Sequence, residues 1–124
     1  MNENIKVGLS YTSEAVVTED KLARVVGSGQ LDVFATPAMI ALMENAAMYA
    51  VAPYIEEGND TVGIEINASH IAATKPGKKV KATATLVEIH KRILTFEIIA
   101  EDEEKVIGKA MHKRAVINVE KFMG

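Results

Sequence analysis

From Val33 to Ile55 the chain reads VFATPAMIALMENAAMYAVAPYI, apolar at nearly every position. A run of this length that is apolar on almost every side predicts a helix wrapped by other structure, not one lying on a surface. Its ends are marked. Thr36 is placed to cap the N-terminus, and Pro37 fits the first helical position, where its missing N–H costs nothing. Alanine, leucine and methionine carry helix propensity to about Val51, and Pro53 then ends the helix.

The flanking sequence alternates instead. Tyr11 to Val17 reads as a strand, followed by a short turn that Thr18 is placed to cap, with Glu19 and Asp20 favourably placed in it. VGSGQLD is a loop in which Gly27 and Gly29 break regular structure. Beyond the helix, Val62, Ile64, Ile66 and Ala68 fall on one face of a strand and Glu65, Asn67 and Ser69 on the other. KPGKK is a turn, VKATATLVEI a second strand, and HKR a tight reversal into ILTFEIIA, where Leu94, Phe96 and Ile98 alternate with polar positions. EDEEK closes a further hairpin before VIGKAMHKRAVINVE. One long helix with four or five long antiparallel strands predicts an α+β domain whose sheet curls around the helix. With no repeat or linker, residues 1–124 form a single domain.

Composition narrows the function classes. Hydrophobic residues make up 48% and charged residues 25%, which is ordinary globular usage. A net charge of -3 disfavours nucleic acid as the main partner, since phosphates need a basic face. Without cysteine there is no disulfide, thiolate nucleophile or zinc–cysteine site. The opening MNENIKVGLS lacks the pattern of a signal peptide, and Glu44, Asn45 and Pro53 interrupt the apolar run, so neither export nor membrane insertion is expected. A cytoplasmic protein is the expectation.

The chemistry centres on Glu44. It is either the solvated edge of a buried helix or a working carboxylate. Its neighbours Ile40, Ala41, Ala47 and Met48 make no polar stripe, and a buried unpaired carboxylate is costly enough to be kept mostly where it is used. By parity, His70 points toward the helix, which offers an acid/base partner for that glutamate or else a histidine satisfied within the core. The Thr36 hydroxyl stands where a developing oxyanion would be stabilised. His90 and His112, each beside basic residues, read as surface or loop positions. Lys75, Lys78 and Lys79 either grip phosphates or decorate a solvated turn. There is no G-x-S-x-G, no glycine-rich phosphate loop and no pair of histidines at metal spacing.

Three stretches, VFATPAMIALMENAAMYAVAPYI, NASHIAATKPG and GKAMHKRAVINVEKF, together resemble hot-dog-fold thioesterases of the fluoroacetyl-CoA thioesterase type. The resemblance implies a hot-dog fold and hydrolysis of an acyl-CoA thioester. It places the catalytic residues on Thr36, Glu44 and His70, with no metal or redox cofactor. It also implies a homodimer or larger assembly with acyl and CoA sites at the subunit interface. Two departures from the family pattern stand out. Pro37 replaces a glycine after the threonine, so an oxyanion would use the Thr36 hydroxyl or later amides such as Ala38 and Met39. The segment RVVGSGQLDVF is shorter than its counterpart and lacks the extra aromatic lid residues, which points to an ordinary short or medium acyl group. A hot-dog dehydratase or hydratase, and a non-catalytic acyl-CoA binding domain, are the alternatives. Thr36 and Glu44 lie about 12 Å apart on a regular helix, so one site needs a bent helix start or two subunits.

Overall fold

A computed structural model describes residues 3–124; the first two residues of the opening stretch lie outside it. The chain forms strand β1 (Ser10–Val16), a tight turn at Glu19–Lys21, helix α1 (Ala23–Val26) and the long helix α2 (Thr36–Val51). Strands β2 (Asn59–His70), β3 (Lys79–His90), β4 (Ile93–Asp102) and β5 (Val106–Asn118) follow, and α3 (Val119–Met123) ends the chain. The strands form one antiparallel sheet in the order β1-β3-β4-β5-β2. This is the hot-dog arrangement expected from the resemblance.

Helix α2 lies against the inner face of that sheet. Met39, Met43, Ala46, Ala47 and Ala50 face inward, three and four residues apart, and join Ala82, Ala84, Leu86, Leu94, Phe96 and Ile98 in one core. Small residues on both layers bring helix and sheet close. At Gly108 on β5 the approach leaves no room for a side chain, since a Cβ would stand 2.6 Å from Met39 Sδ.

The sheet curls around α2 as expected, and Pro37, Ala41, Asn45 and Tyr49 form a stripe along the exposed side of the helix. Two expectations change. In β2, a β-bulge between Gly63 and Glu65 interrupts the alternation. Ile66, Ala68 and His70 keep the inward face, but Ile64 is 52% exposed and Thr61 is buried in its stead. At the first turn, Thr18 occupies the cap position, yet its hydroxyl donates to the Asp20 carboxylate and makes no cap bond. The His90–Ile93 reversal and the hairpin after Asp102 form as read. Strand β2 is an edge strand, paired with β5 on one side only. Among the described residues no helix is long and apolar enough to cross a membrane.

Candidate active site

The start of α2 and the end of β2 meet. Ala35, in extended conformation, is the N-cap, and no side chain caps the helix. Thr36 is therefore not the cap its sequence position suggested. It is the first helical residue, and its Oγ1 lies 2.8 Å from His70 Nδ1, either atom serving as donor according to the imidazole tautomer. His70 is the last residue of β2, and parity below the bulge turns it inward. Burial lowers its pKa, opposed by the Ala72 backbone, which favours the protonated ring. Ala72 closes no hydrogen bond on the remaining nitrogen: Nε2 is buried without a partner. The imidazole is thus held neutral, one nitrogen on the Thr36 hydroxyl and the other unspent. The Phe34 ring stands edge-on to it, centroids 6.3 Å apart. An open cavity of about 320 Å³ reaches the pair, with Ser28, Phe34 and Ala72 in its walls.

Glu44 is elsewhere. Its Oε2 lies 2.8 Å from the point where a Cβ on Gly63 would stand, and His112 Cε1 and Arg114 Nη1 approach that point to 3.2 and 3.4 Å. The missing side chain of Gly63 is what makes room for the carboxylate. Arg114 is 7% exposed and fully directed: Nε donates to Thr61 Oγ1 at 3.0 Å, Nη2 to the Thr61 carbonyl at 3.1 Å, and Nη1 lies 3.2 Å from His112 Nε2. His112, wholly buried, lies with Nδ1 2.8 Å from the Glu65 carbonyl. The Nδ1 proton therefore goes to that carbonyl, which leaves the Nε2 lone pair for the guanidinium. Burial lowers the pKa of both residues, while the Glu44 charge acts on both in the opposite sense. Glu44 is half-buried beside a guanidinium that stays charged at neutral pH.

Of the three expected catalytic residues, the fold joins Thr36 and His70 and leaves Glu44 apart. α2 runs unbroken from Thr36 to Val51, so its start does not bend back toward Glu44. Glu44 is two turns along it, and its neighbour Gly63 is roughly 20 Å from His70 along β2. His112 is a correction, since it is buried in β5 and not at the surface; His90 is exposed as read. Arg114 and Gly63 went unread. The signal was present in β5, where Ala110, His112, Arg114 and Val116 share one parity with apolar residues at both ends.

The proposed substrate contacts divide similarly. Met39 N–H donates to the Ala35 carbonyl at 3.0 Å and its side chain is buried, whereas Ala38 N–H belongs to the first turn, which the helix itself leaves unused. Lys75, Lys78 and Lys79 are exposed. Lys75 and Lys78 border a second cavity, of about 240 Å³, whose opposite wall carries Asp102, Glu103 and Glu104. Among the described residues no group of three or more histidines and carboxylates is placed to hold a metal ion.

Known proteins share this fold. The family model for fluoroacetyl-CoA-specific thioesterases matches residues 17–120. A fluoroacetyl-CoA thioesterase from Streptantibioticus cattleyicolor is 38% identical over 128 residues, covering 98% of this chain and 92% of the relative. A solved structure of a fluoroacetyl-CoA thioesterase superposes with a TM-score of 0.91 at 38% identity, covering 98% of this chain and 94% of that one. A thioesterase superfamily member from Thermus thermophilus gives 0.90 at 26% identity, covering 98% and 90%. A family model matched over residues 17–120, a relative 38% identical across 98% of the chain and a solved structure superposing on the same fold make this chain a member of the fluoroacetyl-CoA-specific thioesterase family, a thioester hydrolase on the hot-dog fold.

Proposed function

We propose that the protein hydrolyses the thioester of a short or medium acyl-CoA in the cytoplasm, with Thr36, Glu44 and His70 in a site that two copies of the chain complete. The observation that carries this reading is the separation of the two clusters. Neither has what hydrolysis needs: the Thr36–His70 pair has no carboxylate, and Glu44 has no proton relay to a leaving group. A two-fold axis beside α2 and the free edge of β2 would set the helices antiparallel. The Glu44 region of one copy would then face the Thr36–His70 end of the other, twice over. The exposed stripe on α2 and the exposed Ile64 supply surface for such a contact.

In this site Glu44 attacks the thioester carbonyl or draws a proton from the water that does. Charge gathers on the carbonyl oxygen, where the Thr36 hydroxyl and Ala38 N–H are the available donors. His70, neutral at rest through burial, takes up the proton that the attacking water loses and, as imidazolium, releases it to the thiolate. One water is consumed, and a carboxylic acid and a free thiol leave. The proposed chemistry asks for no cofactor. Lys75, Lys78 and Lys79, at the end of the molecule beside the Thr36–His70 cavity, would take the CoA phosphates. The similarity to a fluoroacetyl-CoA thioesterase supports the acyl-CoA class of substrate.

Thiol release across a panel of acyl-CoAs tests the activity. Glu44→Gln should lower kcat by about a hundredfold or more without unfolding the chain. Subunit mixing tests the shared site. Glu44→Gln and His70→Ala are each inactive alone, but one mixed dimer contains one site with His70 from one copy and Glu44 from the other. Recovered activity on mixing is expected; none, with mixed dimers demonstrated, refutes the shared site.

A further inference from the structure

Thr74 closes the Ala-Ala-Thr stretch that follows His70, and the chemistry described so far gives it no task. It is 2% exposed. Its hydroxyl donates to Asp102 Oδ2 at 2.9 Å, and its carbonyl accepts the Phe34 N–H at 2.9 Å. Phe34 lies two residues before Thr36, and Thr74 lies four residues after His70. One residue therefore ties the segment that delivers Thr36 to the segment that leaves His70, and it does so beside the Phe34 ring that stands against the imidazole.

The far end of the tie is rigid. Asp102 Oδ1 accepts the Glu104 and Lys105 amides at 2.8 and 2.9 Å, and Oδ2 accepts Lys105 Nζ at 2.7 Å as well as the Thr74 hydroxyl. The Asp102 N–H in turn donates to the Lys105 carbonyl at 2.9 Å. With its side chain 5% exposed, Asp102 is fixed to the β4–β5 hairpin. Its carboxyl is held well below the usual range by Lys105, the two amides and Thr74, which outweigh the cost of burial. A turn aspartate needs only the amides of its own hairpin. The bond to Thr74 is additional, and it reaches across to the loop that walls the cavity.

We infer that Thr74, anchored to the sheet by Asp102, is a positioning residue that holds the Thr36 hydroxyl and His70 Nδ1 in register. The inference rests on the proposed role of that pair. His70 is held by its pairing with β5 and the helix start by the Ala35 N–H on the Lys21 carbonyl, and the Phe34–Thr74 bond joins these two separately anchored segments to each other. Misplacement by an ångström at a reacting group costs on the order of a hundredfold in rate, so a partial loosening costs roughly tenfold.

The test compares Thr74→Val, Thr74→Ser and Asp102→Asn. Valine keeps the shape and removes the hydroxyl; serine keeps the hydroxyl; asparagine keeps an acceptor for the turn amides but sets an uncharged NH2 donor where Oδ2 accepts from Thr74 and Lys105, so the charge-assisted bond is replaced by a weaker, reversed one. Melting temperature, kcat, KM and the His70 ring nitrogen NMR signals are measured well below the melting temperature. Thr74→Val and Asp102→Asn should each lower kcat about tenfold with KM little changed, and shift the His70 Nδ1 signal. Thr74→Ser should stay near wild type. The double variant should lose no more than Thr74→Val alone, because both substitutions act on the same bond. If Thr74→Val does not fold, Asp102→Asn reads the same bond from its other end. Folded variants with lower melting temperatures but unchanged kcat and His70 signals overturn the inference. If the wild type turns over no acyl-CoA, the proposed function fails, yet the His70 signals still decide whether Thr74 holds the pair.

Discussion

Replacing Gly63 by alanine adds one methyl group at the point where Glu44, His112 and Arg114 converge. The new carbon would stand 2.8 Å from Glu44 Oε2, against 3.4–4 Å for an ordinary contact. The His112 ring, at 3.2 Å, is wholly buried, so the yielding group is the half-buried carboxylate. It must retreat by roughly half an ångström to one ångström, a displacement that costs a reacting group about ten- to a hundredfold. Stability should move little. Gly63 is not among the positive-φ residues, so alanine takes its backbone without strain and narrows the unfolded ensemble by about 0.4–1 kcal/mol. That gain offsets the cost of moving a flexible side chain, and the net change should stay within about 1 kcal/mol. The assay pairs thiol-release kinetics with urea denaturation of Gly63→Ala. A tenfold or larger fall in kcat at near-wild-type stability is expected. Full activity in the alanine variant would refute the idea that the carboxylate works from its place beside Gly63. A loss of several kcal/mol would show that the methyl displaces the strand and not the side chain.

Thr36→Ala should cost helix α2 no capping energy, because the hydroxyl makes no cap bond; the loss should be about 1 kcal/mol or less for the His70 hydrogen bond, with kcat falling tens-fold. Thermal melts beside kinetics separate the two, and a stable Thr36→Ala variant of undiminished kcat would remove Thr36 from the site. Gly108→Ala should behave in the opposite way to Gly63→Ala: its Cβ would meet Met39 Sδ at 2.6 Å and the Ser69 carbonyl at 2.9 Å, buried core and backbone that cannot retreat. A destabilisation of about 1–3 kcal/mol in urea is expected, and none would mean that helix and sheet are not packed at this distance. Asp102 sets an acid dependence. Its folded pKa lies below the ordinary 3.8, so its contribution is fully present above that value and is lost as pH falls through the folded one. Denaturation from pH 7 to pH 2 should therefore show a steeper acid loss in the wild type than in Asp102→Asn, and parallel curves would contradict the assignment.

Local chemistry decided what could be read from the chain. Pro37 and Pro53 bound α2 wherever it packs, and the alternation of Leu94, Phe96 and Ile98 faces the core because a strand turns each successive side chain over. His70 was legible for the same reason, since no irregularity separates it from Ile66 and Ala68. The same counting failed at Ile64, because one bulged residue reverses every side chain beyond it and nothing in the composition of GIE announces it. His112 read as a surface or loop position because basic residues stand beside it, and Arg114 went unread. Only the β2–β5 register, which sets His112 against Ile66 and Arg114 against Gly63, buries them together and brings Glu44 to the gap. The sequence placed Thr36, Glu44 and His70 in one set. Their division into a pair and a lone carboxylate came from the straightness of α2 and the length of β2. Those are distances between elements, fixed by packing and pairing, and no local pattern of residues encodes them.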